Sequence, residues 1–144
     1  GGIFPTQIES INSARVARWL ERVLNVIAVE PRPEGYNPLG VKNLDPKWIA
    51  RLGQSGKDCF DSIRRMDIDG LGASLNETML CWEKLLPQVV KHPLIRFDLK
   101  GMLKAYQRRY PGAMFSGCGG GYLFVTSNEP VPGAFKVNVR IAKN

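Results

Sequence analysis

The sequence predicts an α+β domain, with a ferredoxin-like antiparallel sheet and helices packed on one face. Two observations carry this. Apolar residues recur at helical spacing from residue 8 to Tyr110, broken by one short β-rich run at residues 26–29. Beyond Tyr110 three strand candidates follow, at residues 113–116, 122–126 and 135–141. The order is helix, strand, three helices, three strands.

The first helix is expected over residues 8–24, where Ile8, Ile11, Val16, Trp19, Leu20 and Val23 recur. The strand at 26–29 is stopped by Pro31, and Pro31-Arg32-Pro33-Glu34-Gly35-Tyr36-Asn37-Pro38 reads as a rigid loop. Asp45-Pro46 is a helix start, an N-cap acid followed by proline at the first helical position. The helix runs over residues 46–66 and keeps Ile49, Leu52, Cys59, Phe60, Ile63 and Met66 on one face. Gly53 and Gly56 inside it cost roughly 1 kcal/mol each against alanine, so close packing against a neighbour is expected there. After a break at 67–70, a helix over 70–86 aligns Leu71, Leu75, Met79, Trp82 and Leu86, and Pro87 ends it. So short a connection makes the two helices an antiparallel pair. Asp98 caps a fourth helix carrying Leu99, Met102, Leu103 and Tyr106, which Gly112 closes. In the last strand Phe135, Val137, Val139 and Ile141 are expected to point inward and Lys136, Asn138 and Arg140 outward.

With 144 residues, 44% hydrophobic and 23% charged, the chain reads as one domain over 1–144. Residues 1–44 supply a helix, a strand and the proline-rich loop; residues 45–144 supply the helix pair, a further helix and the glycine-loop sheet. No apolar run spans a bilayer, and Gly1-Gly2-Ile3-Phe4-Pro5 is not a signal peptide. With no initiator Met, the chain is expected to be processed or cut from something longer. The net charge of +7 permits an anionic partner, but the lysines and arginines are scattered, with short pairs such as Arg64-Arg65 and Arg108-Arg109. Cys59, Cys81 and Cys118 lack metal or disulfide spacing, and their odd number fits a reducing cytoplasm. Cys59 is expected in the core, Cys81 partly exposed beside Trp82, and Cys118 as a small residue that fits its loop. A Cys118–His92 catalytic pair is disfavoured, since His92 precedes Pro93 in a loop.

The run Ser116-Gly117-Cys118-Gly119-Gly120-Gly121, opening into Tyr122-Leu123-Phe124-Val125, is the strongest local signal. Glycine is kept where φ is positive or where something approaches the backbone. One reading is a loop whose N–H groups line a binding surface, as in phosphate-cradling nests. The other is a wide hairpin turn.

A late helix, a short strand, this run and an apolar C-terminal strand resemble the C-terminal domain of GHMP sugar kinases, the family of galactokinase, mevalonate kinase and the heptose-phosphate and fucose kinases. Its third motif reads like S-G-A-G-G-G-G before a hydrophobic strand. The helix pair, with Leu52-Gly53 and Leu71-Gly72, and the Gly2-Ile3 and Pro-Arg-Pro-Glu-Gly-Tyr segments are similar to the heptose and fucose kinase branch. Cys118 stands where the family has Ala, and Tyr122 where a fourth glycine is common. The resemblance implies ATP and Mg²⁺ as cofactors of a full-length enzyme, a small-molecule acceptor, and an N-terminal kinase domain in the same or a separate chain. It implies nucleotide and substrate contacts from Ser116, Gly117, Cys118, Gly119, Gly120 and Gly121, with Tyr122, Arg32, Tyr36 and Lys57 as weaker substrate-side candidates. The family's P-x-x-x-G-L-G-S-S-A phosphate loop is absent, and its base and metal ligands belong to the other half. This chain alone is therefore expected to be inactive and to bind neither cofactor tightly. Gly70-Leu71-Gly72-Ala73-Ser74 superficially matches that loop but lies inside the helix pair.

Two other classes compete. Gly121-Tyr122-Leu123-Phe124-Val125 partly matches the aromatic strand of RNA-recognition domains, with Tyr122 and Phe124 on one face for base stacking. A basic residue ahead of it, a small one at Leu123 and an aromatic at Ser127 are all missing. The third class is a non-catalytic regulatory or interaction domain of kinase-like shape.

Overall fold

Four short polar side chains set where the helices begin. Ser13 accepts from the Val16 N–H, Asp45 from Lys47, Asp67 from Gly70 and Asp98 from Gly101. Each satisfies an N–H that has no partner within its helix. The computed structural model describes residues 7–29, 34–35, 37, 40–116 and 121–141. The elements are α1 (Ala14–Val23), β1 (Leu24–Ala28), α2 (Pro46–Arg64), α3 (Ile68–Leu85), a 3₁₀ turn (Pro87–Val89), α4 (Leu99–Arg109), β2 (Gly112–Phe115), β3 (Tyr122–Thr126) and β4 (Phe135–Lys136). The fold is α+β with an antiparallel sheet, as the pattern predicts. None of the helices is long and apolar enough to cross a membrane among the described residues.

Helix α1 starts six residues later than its apolar pattern, at the Ser13 cap, and runs directly into β1. α2 ends in a Schellman motif, with Asp67 N–H on the Ser62 carbonyl and Met66 N–H on the Ile63 carbonyl. Met66 occupies the left-handed position, φ 53°, where glycine is usual. Its side chain is partly buried in the cluster around Trp19, Val23, Leu71 and Leu75, which accounts for a large residue there. Beyond this turn α3 packs back along α2. The Arg51–Glu77 hydrogen bond (2.7 Å) and the Ser55–Thr78 hydrogen bond (2.8 Å) join the two helices along their length.

The sheet order is β2-β3-β1-β4, with every pair antiparallel. The chain leaves β1, passes through α2, α3 and α4, and returns as β2, leaving room for β3 between them. A ferredoxin-like domain would place a second helix between β3 and β4; residues 127–134 make a turn there instead. Register puts Ile27, Leu123, Val125, Ala113 and Phe115 on one face. That face forms the main core with Met79, Leu85, Val89, Leu99 and Leu103.

The outer edge of β2 is sealed by helices. Asn76 on α3 accepts from the Ala113 N–H (3.0 Å) and donates to the Pro111 carbonyl (3.4 Å), and Gln107 on α4 donates to the Ala113 carbonyl (3.2 Å). These side chains take the place of a neighbouring strand. The approach is close because Gly72 meets Gly112 backbone to backbone. A Cβ on Gly72 would lie 2.3 Å from the Pro111 carbonyl carbon, and one on Gly112 would lie 2.1 Å from the Gly72 oxygen.

Several expectations are corrected. The close-packed glycine of the helix pair is Gly72; Gly53 and Gly56 have nothing within 4 Å of a built Cβ. Gly112 opens β2 instead of closing α4. Cys81, expected to be partly exposed, is fully buried. The last strand is paired only at Phe135 and Lys136, against Val26 and Asn25. Its continuation would run past Leu24 into helix α1, which has no strand backbone to offer; there the Arg18 side chain takes the Val139 carbonyl instead (3.0 Å). Phe135, expected inward, lies on the face away from the main core and is half-exposed.

Gly72→Ala should lower unfolding free energy by about 2–3 kcal/mol, an overpacking cost against backbone. Gly53→Ala should raise it by about 0.5–1 kcal/mol, because the helix gains and nothing is touched. Urea titration of the two variants reads both signs.

Candidate functional site

Both ends of the glycine run are fixed by the sheet. Ser116 N–H donates to the Tyr122 carbonyl (3.0 Å), closing the β2–β3 hairpin outside the Phe115–Leu123 pair. Gly121 adopts φ +76°, a left-handed value that favours glycine. Its carbonyl accepts from Val29 N–H (2.7 Å), which ties the run to the exit of β1. Ser116, Gly121 and Val29 therefore share one end of the sheet. Gly117, Cys118, Gly119 and Gly120, with Arg32 and Tyr36, lie outside the described residues.

Of the other predicted site residues, Tyr122 is next to the run and half-exposed, on the face opposite the main core. Lys57 is exposed midway along α2, which packs on α3, one layer removed from the sheet. The structure brings Ser116, Gly121 and Tyr122 together and leaves Lys57 apart.

Sequence reasoning missed Phe135 as a neighbour of this site. Its ring meets Tyr122 edge-on, with centroids 6.2 Å apart and planes at 88°, the arrangement that aromatic quadrupoles favour. Register places Phe124 on the same face, paired with Val26, which also pairs with Phe135. The signal was present in the alternation of Tyr122 and Phe124, but assigning Phe135 to the core hid the third member.

The nucleophile candidates do not assemble among the described residues. Burial raises the Cys59 thiol and outweighs the Ser74 hydrogen bond that lowers it. Burial and then Glu77 raise Cys81, against a smaller opposing effect of Arg51. The His92 Nδ1 accepts from the Leu94 N–H (3.1 Å), within a turn that the Ile95 N–H closes on the His92 carbonyl. Gly70–Ser74 are helical: the Gly70 N–H is spent on Asp67 and the Ser74 hydroxyl on the Leu71 carbonyl (2.7 Å). A cleft of about 530 Å³ between α2 and α3 is lined by Asp58, Asp61, Arg65 and Glu77, and contains none of the predicted site residues. Among the described residues no group of three or more His, Cys, Asp or Glu side chains could hold a metal ion.

Raised thiols stay protonated in the fold while the unfolded chain ionises near its ordinary value of about 8.5. Their contribution to stability is present below that pH and is lost as pH rises through the folded values. At pH about 8, iodoacetamide should modify Cys59 and Cys81 slowly in the folded protein and rapidly in urea, as read by peptide mass spectrometry.

No family model, curated protein or solved structure matches this chain.

Proposed function

We propose that this chain is the C-terminal part of an ATP-dependent small-molecule kinase of the cytoplasm, with a sugar or sugar phosphate as acceptor. The observation that carries the reading is the Val29–Gly121 hydrogen bond, which ties Gly121, the last residue of the glycine run, to the exit of β1. Backbone N–H groups of a glycine-rich stretch can cradle phosphates. In this reading Ser116 to Gly121 position nucleotide and substrate, and Tyr122 borders the acceptor. Phosphoryl transfer depends on positioning and on neutralising charge. In this reading the metal and the base belong to a partnering N-terminal half.

The test is ATP-dependent phosphorylation of a panel of hexoses and heptose phosphates by the native polypeptide that contains this segment. Gly120→Val should lower kcat/KM by about 100-fold or more without changing the thermal midpoint, because misplacement of the reacting groups costs on that order. Absence of both transfer and ATP binding in the native polypeptide would sink the reading.

A second reading is favoured by the face that carries half-exposed Tyr122 and Phe135 beside partly buried Phe124. Exposed aromatics on a sheet are stacking platforms for single-stranded nucleic acid. Mixed-sequence single-stranded RNA should then bind with a steep salt dependence, and Y122A/F135A should weaken it by about tenfold or more, since stacking contributes about 1–3 kcal/mol per base. Unchanged binding by that variant removes the idea.

A further inference from the structure

The antiparallel pairing of α2 and α3 brings the first turns of α2 beside the last turn of α3. Trp48 lies there, partly buried. Three cations approach its indole: Arg51 at 4.5 Å from the ring centroid, Lys47 at 5.4 Å and Lys84 at 5.8 Å. Asn43 N–H donates to the Leu85 carbonyl (2.8 Å), so the segment that carries Lys42 joins the same place.

Among the described residues only Arg51 of these four has an acidic partner, Glu77. The Asp45 carboxylate caps the Lys47 N–H, and Glu83 on α3 is taken by Lys100 (2.8 Å). Cation–π attraction accounts for each cation singly, but it does not remove their mutual repulsion. Lys47 is also in the first turn of α2, where the positive end of the helix dipole disfavours a cation. Four cations thus sit together with one acidic partner among the described residues, which makes this end complementary to an anion. The same stretch exposes three large aliphatic side chains, Val41, Leu44 and Ile49.

We propose that this end of the α2–α3 pair docks an acidic, leucine-bearing segment of a partner protein. Its carboxylates would meet Lys42, Lys47, Arg51 and Lys84, and its apolar side chains would cover Val41, Leu44 and Ile49. The charge calls for an anion. The aliphatic side chains decide which kind, because a nucleic-acid backbone offers nothing to bury them, whereas an amphipathic acidic segment satisfies both. The proposal stands independently of the kinase reading.

The test uses the full chain and a fluorescein-labelled synthetic amphipathic peptide of Glu and Leu, followed by anisotropy. Binding should weaken as salt is raised to about 0.3 M, where surface charges are screened. K47E/K84E should lose about tenfold or more in affinity, with a thermal midpoint changed little, because the acid gained in the first turn of α2 offsets the cation lost from the last turn of α3. A purely structural role for the lysines would not separate those two readouts. L44S/I49S should also weaken the peptide. The proposal is overturned if the peptide does not bind, if K47E/K84E binds it equally well, or if mixed-sequence single-stranded RNA or phosphatidylcholine–phosphatidylserine vesicles bind more tightly than the peptide.

Discussion

The backbone contact between Gly72 and Gly112 sets the position of nearly everything else in this molecule. With no side chain on either residue, α3 lies against the β2 edge closely enough for Asn76 to bond the Pro111 carbonyl and the Ala113 N–H. An uncovered strand edge is a template for further pairing, so this contact also closes the sheet on that side. Fixing β2 fixes β3 through four cross-strand pairs, and β3 fixes β1 through five. The chain of constraints reaches the glycine run, whose ends leave β2 at Ser116 and enter β3 beside Gly121.

The other end of the sheet depends on a polar knot. α1 passes into β1 with no loop, which leaves carbonyls of its last turn exposed to a buried setting. Asn25, almost fully buried, donates to the Val23 and Val125 carbonyls and accepts from the Lys136 ammonium (2.8 Å). That ammonium also donates to the Arg22 carbonyl (2.7 Å), and the Ser127 N–H bonds Val23. A buried amide is tolerated when its partners are present, and here they come from two strands and a helix. The same knot explains why β4 is short. Lys136 is committed to the α1–β1 junction, and beyond it the neighbour is a helix. Phe135 is left on the open face against Tyr122.

What the sequence disclosed follows the range of the interaction. Asp45 and Asp98 mark helix starts because capping is local, settled within three residues, whereas Asp67, read as part of a break, caps a helix that begins at Ile68. The helix pair and β3 are legible because a long apolar stripe or a clean alternation outweighs any neighbour. Gly53 and Gly72 look alike in sequence, and only the placement of β2 beside α3 separates an idle glycine from an essential one. Phe135 alternates with Val137 and Val139 as an inward residue would, but the direction of a strand face is fixed by its partner, and β1 supplies only Asn25 and Val26. Cys81 follows the same logic: beside Trp82 it reads as a boundary residue, and the packing of α3 buries it completely. The glycine run announces a special loop without saying what approaches it, since glycine records permission and not the ligand.

The aromatic face and the basic helix end are separated by the core itself. Tyr122 and Phe135 belong to the sheet face opposite Ile27, Leu123 and Val125, while Trp48 packs from the helical side against the cluster those residues form. A partner seated on one surface therefore leaves the other free. Helix α3 is the element common to both: Gly72 and Asn76 hold the sheet in register, and Lys84 at its far end faces Trp48. Stability and recognition make opposite demands along this one helix. At Gly72 an added side chain would press on the β2 backbone and cost stability. At the Trp48 end the cations are held by the indole and by Glu77, and their mutual repulsion is tolerated at the surface.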